Sequence, residues 1–393
     1  MSELLVANAR VFGAGKEPVN VYARDGVVVS VGGEVPSSAP VLDAWGGTLI
    51  PGLLDAHCHA YGSSMSLEEL EKSPMSWIAL KAAQRLSRAL SRGFTTVRDV
   101  AGGDPGLAKA IACGLFPAPR YLYTGPALSQ TGGHGDGRHP LYDDPPYCGC
   151  NTNVVDGVDA MRVRVRELLS KGAHAIKLLT SGGVISPTDP IEVPQYSAAE
   201  IQVAAEEAER RGTYVTAHAY SPRAITHSVK NGVRCIEHGN LLDAPTAALM
   251  AETGTYLVPT LAAYDAMDRR GDDVGLTPVG REKNTQVLVA GQEAIRLARA
   301  AGVRIGFGTD LMGDLEDEQL QGLRLQAEVE GLERTLEAAT VTNAALMGLT
   351  NVGRVEPGYA ADMVIFRGDL AKDPELLWNG ARTVIQAGQV VVA

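Results

Sequence analysis

The stretch IPGLLDAHCHAY sets His57 and His59 one residue apart behind an apolar run, in a chain with 8 histidines among 393 residues. Alternate residues of a strand point to the same side. A strand through this stretch therefore turns both imidazoles one way and Cys58 the other, towards the core. Two protonated rings side by side repel, whereas two neutral rings can share a metal ion. Taken alone, the pair equally fits a polar strand end. Further polar residues close strand-like runs along the chain: Lys177 in HAIKLLTSG, His218 in TYVTAHAY, His238 in RCIEHGN and Asp310 in RIGFGTD. Imidazoles, a carboxylate and a lysine are the donor types of a binuclear zinc site. Asp55, at the parity of the histidine pair, is expected to orient a ligand from behind.

Elements that could bring these residues together are legible in the middle of the chain. Runs such as FTTVRDV, RYLYTGPAL, HAIKLLTSG, TYVTAHAY, RCIEHGN, TYLVPTLAA and RIGFGTD alternate with helical segments. Ser197 and Glu200 form a capping box, Ser221 and Pro222 open a further helix, and Gly212 and Gly232 end theirs. Counting the run that carries the histidine pair, the strands suffice for a (β/α)8 TIM barrel, whose active sites sit at the C-terminal strand ends. Both chain ends read instead as short strands and turns, with Gly and Asp-Gly breaks. The expected architecture is α/β. Residues 51–351 form the barrel, and residues 1–50 with 352–393 form a small composite β-sandwich.

The composition is ordinary for a globular protein, 45% hydrophobic and 21% charged, with a net charge of -11. An acidic surface argues against nucleic acid and anionic membranes as partners. No secretory signal and no membrane span is expected. The 5 cysteines suit a reducing cytoplasm better than a disulfide framework. Cys148 and Cys150 form a lone CxC pair, better read as a loop turn than as a zinc site. The Gly/Pro-rich segment from Ser129 to Asn153 is long for a connection, which points to function, with His139 a lid candidate.

Taken together, GLLDAHCH, AIKLLTSGG, TAHAY, CIEHGN and GFGTD resemble the amidohydrolase superfamily over nearly the whole chain. The resemblance implies that His57 and His59 bind a buried divalent metal and that His218 and His238 bind a second, more exposed one. It implies that Lys177, carboxylated by carbon dioxide, bridges the two. It also gives Asp310 as a ligand of the buried metal and as the proton carrier. Such metals lower the pKa of a shared water, so that a bridging hydroxide can attack an amide carbon. TGGHGD, IKLLTSGGVISPTDP, AHAYSPRAI and IEHGNLLD further resemble prolidase-, carboxypeptidase- and ochratoxinase-type amidohydrolases. That likeness places His134, Tyr220 and Arg223 near the substrate, His134 against its carboxylate or the developing oxyanion. Arginine and tyrosine suit a terminal carboxylate.

The expected activity is zinc-dependent hydrolysis of a dipeptide or N-acyl amino acid. The alternative is a urea or carbamate hydrolase acting on a xenobiotic such as an aryl urea or a mycotoxin amide. Lys177 argues against a single-metal deaminase, and the complete ligand set argues against a non-catalytic scaffold. A homo-oligomer is expected from the resemblance alone. His227 is expected to be solvated, and His174 to lie at the far end of the Lys177 strand.

Overall fold

The computed structural model describes residues 2–15, 17–33, 39–138, 149, 151–186 and 189–392, apart from the side chains at 67, 68 and 71. His139, Cys148 and Cys150 lie outside the described residues. The chain opens with strands β1 (Glu3–Val11), β2 (Val19–Arg24), β3 (Val27–Val31), β4 (Val41–Asp43) and β5 (Thr48–Pro51). The middle carries β6 (Leu53–Cys58), β7 (Phe94–Asp99), β8 (Arg120–Tyr123), β9 (Ala127–Ser129) and β10 (Thr152–Val154). It continues with β11 (Ile176–Leu179), β12 (Val215–Ala219), β13 (Cys235–His238), β14 (Tyr256–Val258) and β15 (Arg304–Ile305). Strands β16 (Met363–Phe366), β17 (Arg382–Gln386) and β18 (Gln389–Val392) close the chain.

The two ends meet, as their composition suggests, in one mixed sheet of order β18-β17-β16-β5-β1-β2-β3, with β4 against β1. Strand β1 changes partners along its length. Its first part pairs with β2 and β4, and Arg10 and Val11 pair with β5. The two halves of the expected sandwich are thus joined through β1 into one mixed sheet. Its buried face carries Val6, Ala9, Val21, Leu49, Met363 and Ile385. The chain leaves this sheet at Gly52, where a Cβ would lie 2.2 Å from Thr95 Oγ1. Only glycine lets the backbone pass that close, so the strand expected through His57 is split into β5 and β6.

The remaining strands are parallel and form two arcs, β6-β7-β8 and β10-β9-β11-β12-β13-β14-β15, where one closed ladder was expected. RYLYTGPAL supplies two strands, not one, and RIGFGTD contributes only Arg304 and Ile305 as regular strand. Where β6 meets the segment that follows β15, a side chain adds to the backbone hydrogen bonds. Asn343 Nδ2 donates to Leu54 O and Phe307 O, both at 2.8 Å, and its Oδ1 accepts from Phe307 N at 3.1 Å. The Ala56 N–H donates to Phe307 O at 2.9 Å. Asn343 follows a π-helical turn, Ala338–Thr342, a feature often found beside functional sites. Asn343→Ala takes these bonds from the Phe307 N–H and the Leu54 carbonyl, while Phe307 O keeps Ala56, and is expected to cost about 3 kcal/mol. Denaturant unfolding checks this, and a midpoint shift below measurement error would show that the seam does not depend on Asn343.

Helices cover the arcs as their sequences direct. Ser197 and Glu200 close the expected capping box on Ala198–Arg210. The Ser221 hydroxyl caps Pro222–Lys230. Their apolar stripes, including Ile201, Ala204, Ile225 and Val229, pack onto Leu178, Val215 and Ile236 of the strands. Among the described residues, no helix is long and apolar enough to cross a membrane.

Candidate active site

Eight of the nine residues singled out in the sequence line one cavity: His57, His59, His134, Lys177, His218, Tyr220, His238 and Asp310. The ninth, Arg223, is exposed on the first turn of its helix and is not part of the cavity wall. His57, Lys177, His218 and His238 come from strands of the two arcs, and His59 and Asp310 follow strand ends. His238 and Asp310 both hold left-handed backbone, with φ of +72° and +56°. Residues other than glycine rarely adopt that conformation, and strain of this kind gathers at functional sites.

Ligand atoms of His57, His238 and Asp310 lie within 4.8 Å of one another, close enough to hold one metal ion. Asp310 Oδ1 is 3.2 Å from His57 Nε2 and 2.7 Å from His59 Nε2. The His218 ring sits 4.6 Å from that of His238, centre to centre, with its Nε2 3.1 Å from Gly182 O. Burial opposes charge on Asp310, but His57, His59 and His238 hold its carboxyl well below the usual carboxylate range. Burial pushes His218 and His238 well below the ordinary imidazole value, which leaves both rings neutral. Neutral imidazoles and an ionised carboxylate are the protonation states that metal binding needs.

Lys177 tests the fit. Its Nζ is buried and has no hydrogen-bond partner, and burial lowers its pKa to about 8. A buried ammonium without an acceptor is costly, and an orphaned polar atom in a native site calls for a missing partner. Divalent cations beside a carboxylated lysine would supply that partner, so the residues present fit the metals that the motif implies.

His134 is fixed from several directions. Its ring stacks on His218 at 4.4 Å, its Nδ1 lies 2.7 Å from Ser186 Oγ, and its N–H donates to Gln195 Oε1 at 3.0 Å. A Cβ on Gly183 would fall 2.0 Å from this ring. Lys283 holds the same loop by donating to Gly183 O, Ser186 O and Asp189 O at 3.0, 2.7 and 2.7 Å. Tyr220 stacks on His238 at 5.2 Å, and its hydroxyl meets Tyr264 at 2.8 Å. The rest of the wall is mostly apolar, with Met65, Leu70, Ile185, Met267, Met312 and Leu315.

Asp55 touches no ligand ring. It accepts from the backbone N–H of His57 and Thr309 and from Gln319, and so ties β6 to the Asp310 segment. His227 is only partly exposed, and its Nε2 lies 3.1 Å from Tyr196 O. Cys58 is partly buried and packs against the core, as strand parity requires. The sequence reading passed over Tyr264, Lys283, Arg98 and Glu237. For the last two a signal existed, a charged residue inside the apolar runs TTVRDV and CIEH.

Residues 48–391 match the amidohydrolase family. The chain belongs to that family. The amidohydrolase relatives include ochratoxinase of Aspergillus niger, 31% identical over 344 residues, spanning 83% of this chain and 71% of that protein. A prolidase structure with N-methylphosphonate-L-proline is 38% identical, with a TM-score of 0.95 and 99% of each chain covered. A Xaa-Pro dipeptidase with methionine in its active site is 26% identical, with a TM-score of 0.88 and 100% of each chain covered. With the His57, His238 and Asp310 cluster, these relations make this amidohydrolase a metal-dependent enzyme acting on carbon–nitrogen bonds.

Proposed function

We propose that the chain hydrolyses the amide bond of dipeptides or N-acyl amino acids with two divalent metals, zinc by donor type. His57, His59 and Asp310 would hold one, His218 and His238 the other, and carboxylated Lys177 both. When bound, such metals supply Lewis acidity and acidify water. Asp310, ionised and at the edge of both histidine groups, takes a proton from water and delivers it to the leaving nitrogen. His134 and Tyr220 contact the substrate, and Arg223 is given no part. The apolar wall excludes water around the acyl side. The strand arcs belong to a (β/α)8-type catalytic domain at 51–351, and residues 1–50 with 352–393 form its mixed-sheet companion. A cytoplasmic setting suits the free thiols of Cys58, Cys113 and Cys235.

The observation that carries this proposal is the unpartnered Lys177 Nζ in one cavity with five histidines and Asp310. The likeness to a prolidase holding a phosphonate of proline points to the substrate class. The abundance of apolar side chains, three of them adaptable methionines, favours a second reading, cleavage of a bulky xenobiotic amide or aryl urea. A screen of Xaa-Pro dipeptides, N-acyl amino acids and aryl ureas separates the two. Turnover is expected on the first two classes, best with large apolar acyl groups. Turnover confined to ureas would replace the first reading with the second.

A further inference from the structure

Behind the cavity, Arg98 of β7, Glu237 of β13 and His57 of β6 form a fully enclosed chain of charge-assisted contacts. Arg98 and Glu237 are 0% exposed and His57 is 1% exposed. Arg98 donates from one terminal nitrogen to Glu237 Oε1 at 2.5 Å, from the other to Tyr214 Oη at 3.0 Å, and from Nε to Ala56 O at 2.6 Å. The Thr216 hydroxyl also donates to Glu237 Oε1. The other carboxylate oxygen, Oε2, lies 2.7 Å from His57 Nδ1.

We infer that Glu237 and Arg98 are positioning residues for the metal centre: they fix His57 as the Nδ1–H tautomer and aim its Nε2 at the cation site. This rests on the metal reading proposed above. A carboxylate only accepts and a guanidinium only donates. With Arg98 saturating one oxygen of Glu237, the contact at the other oxygen requires a proton on His57 Nδ1. A cation at the site takes the Nε2 lone pair of such a ring, and Nε2 lies 3.2 Å from Asp310 Oδ1, a further donor of the same cluster. Carboxylate–histidine–metal relays of this kind set tautomer and ring angle together.

A plain structural ion pair would leave metal affinity and tautomer untouched, so both are measured. Wild type, Glu237→Gln and Arg98→Met are titrated with Zn2+ against a competing chelator. Histidine-selective 15N spectra of the zinc-loaded wild type report the His57 tautomer. In Glu237→Gln the amide N–H faces either Arg98 or His57 Nδ1, so one of the two contacts that fix the ring is lost. Zinc affinity is expected to fall about 10–100-fold, with the unfolding midpoint recorded alongside. Folded Glu237→Gln that binds zinc as tightly as wild type overturns this inference alone. So does an Nε2–H proton on wild-type His57, which decides the matter even if Arg98→Met does not fold. A wild-type chain that takes up no divalent cation removes the metal reading itself, and the inference with it.

Discussion

Lys177→Ala is expected to lose bound metal and amide hydrolysis together. The side chain reaches the cavity from β11, and its Nζ is buried without a partner. A salt-bridged barrel lysine, the plain alternative, needs a carboxylate that accepts from Nζ. The two acids whose charge bears most on it are already engaged, Glu237 by Arg98 and His57 and Asp310 by His57 and His59. Once Nζ has given up its proton, the free amine can add to carbon dioxide with loss of a second proton, and the resulting carbamate anion would ligate the metals beside the imidazoles. Its loss removes several kcal/mol of charge stabilisation by the metals, or about 10³-fold in kcat/KM. Metal content by elemental analysis, alongside turnover, is the measurement. Removing an unpaired buried charge does not threaten folding, so the variant should keep its circular dichroism spectrum. Apoprotein of the wild type should also reload faster when bicarbonate accompanies zinc. A Lys177→Ala protein that keeps both metal and activity would dismiss the bridging role.

Asp310→Asn should separate the two functions that Lys177→Ala removes together. The amide keeps an oxygen that can sit near His57 and His59, so part of the metal is expected to stay. It cannot take up a proton at the working pH, so kcat should fall about 10²–10⁴-fold, the usual contribution of a positioned acid–base group. The left-handed backbone at Asp310 is tolerated by asparagine as readily as by aspartate, so the fall cannot be blamed on local strain. Near-normal turnover would take the proton-carrying role away from Asp310, while a metal-free but folded variant would make it a ligand first.

Much of the site could be read from strand ends. His57, Lys177, His218 and His238 each stand at or near the close of an apolar run, where parallel strands put chemistry, and eight of the nine expected residues share one cavity. Arg223 shows the limit of that approach. Its place in AHAYSPRAI put it three residues beyond Tyr220, but the helix capped by Ser221 turns it out to solvent. Asp55, expected to orient a ligand, does so through the backbone N–H of His57, and the side chains of Thr309 and Gln319 take its other oxygen.

The amino-acid order alone therefore determined the family, the alternating elements, the joining of the two chain ends and the identities of the polar strand-end residues. Those are local properties of spacing, capping and alternation. The tertiary structure decided how the two arcs are joined, with Asn343 adding side-chain bonds to the backbone ones, and which side chains stand behind the donors. It also decided that Arg98 and Glu237 are buried together and that Lys177 has no partner. Contacts between residues 139 or 289 positions apart, as in Arg98–Glu237 and Leu54–Asn343, leave no periodic trace in the sequence. They exist only once packing has brought the strands into register.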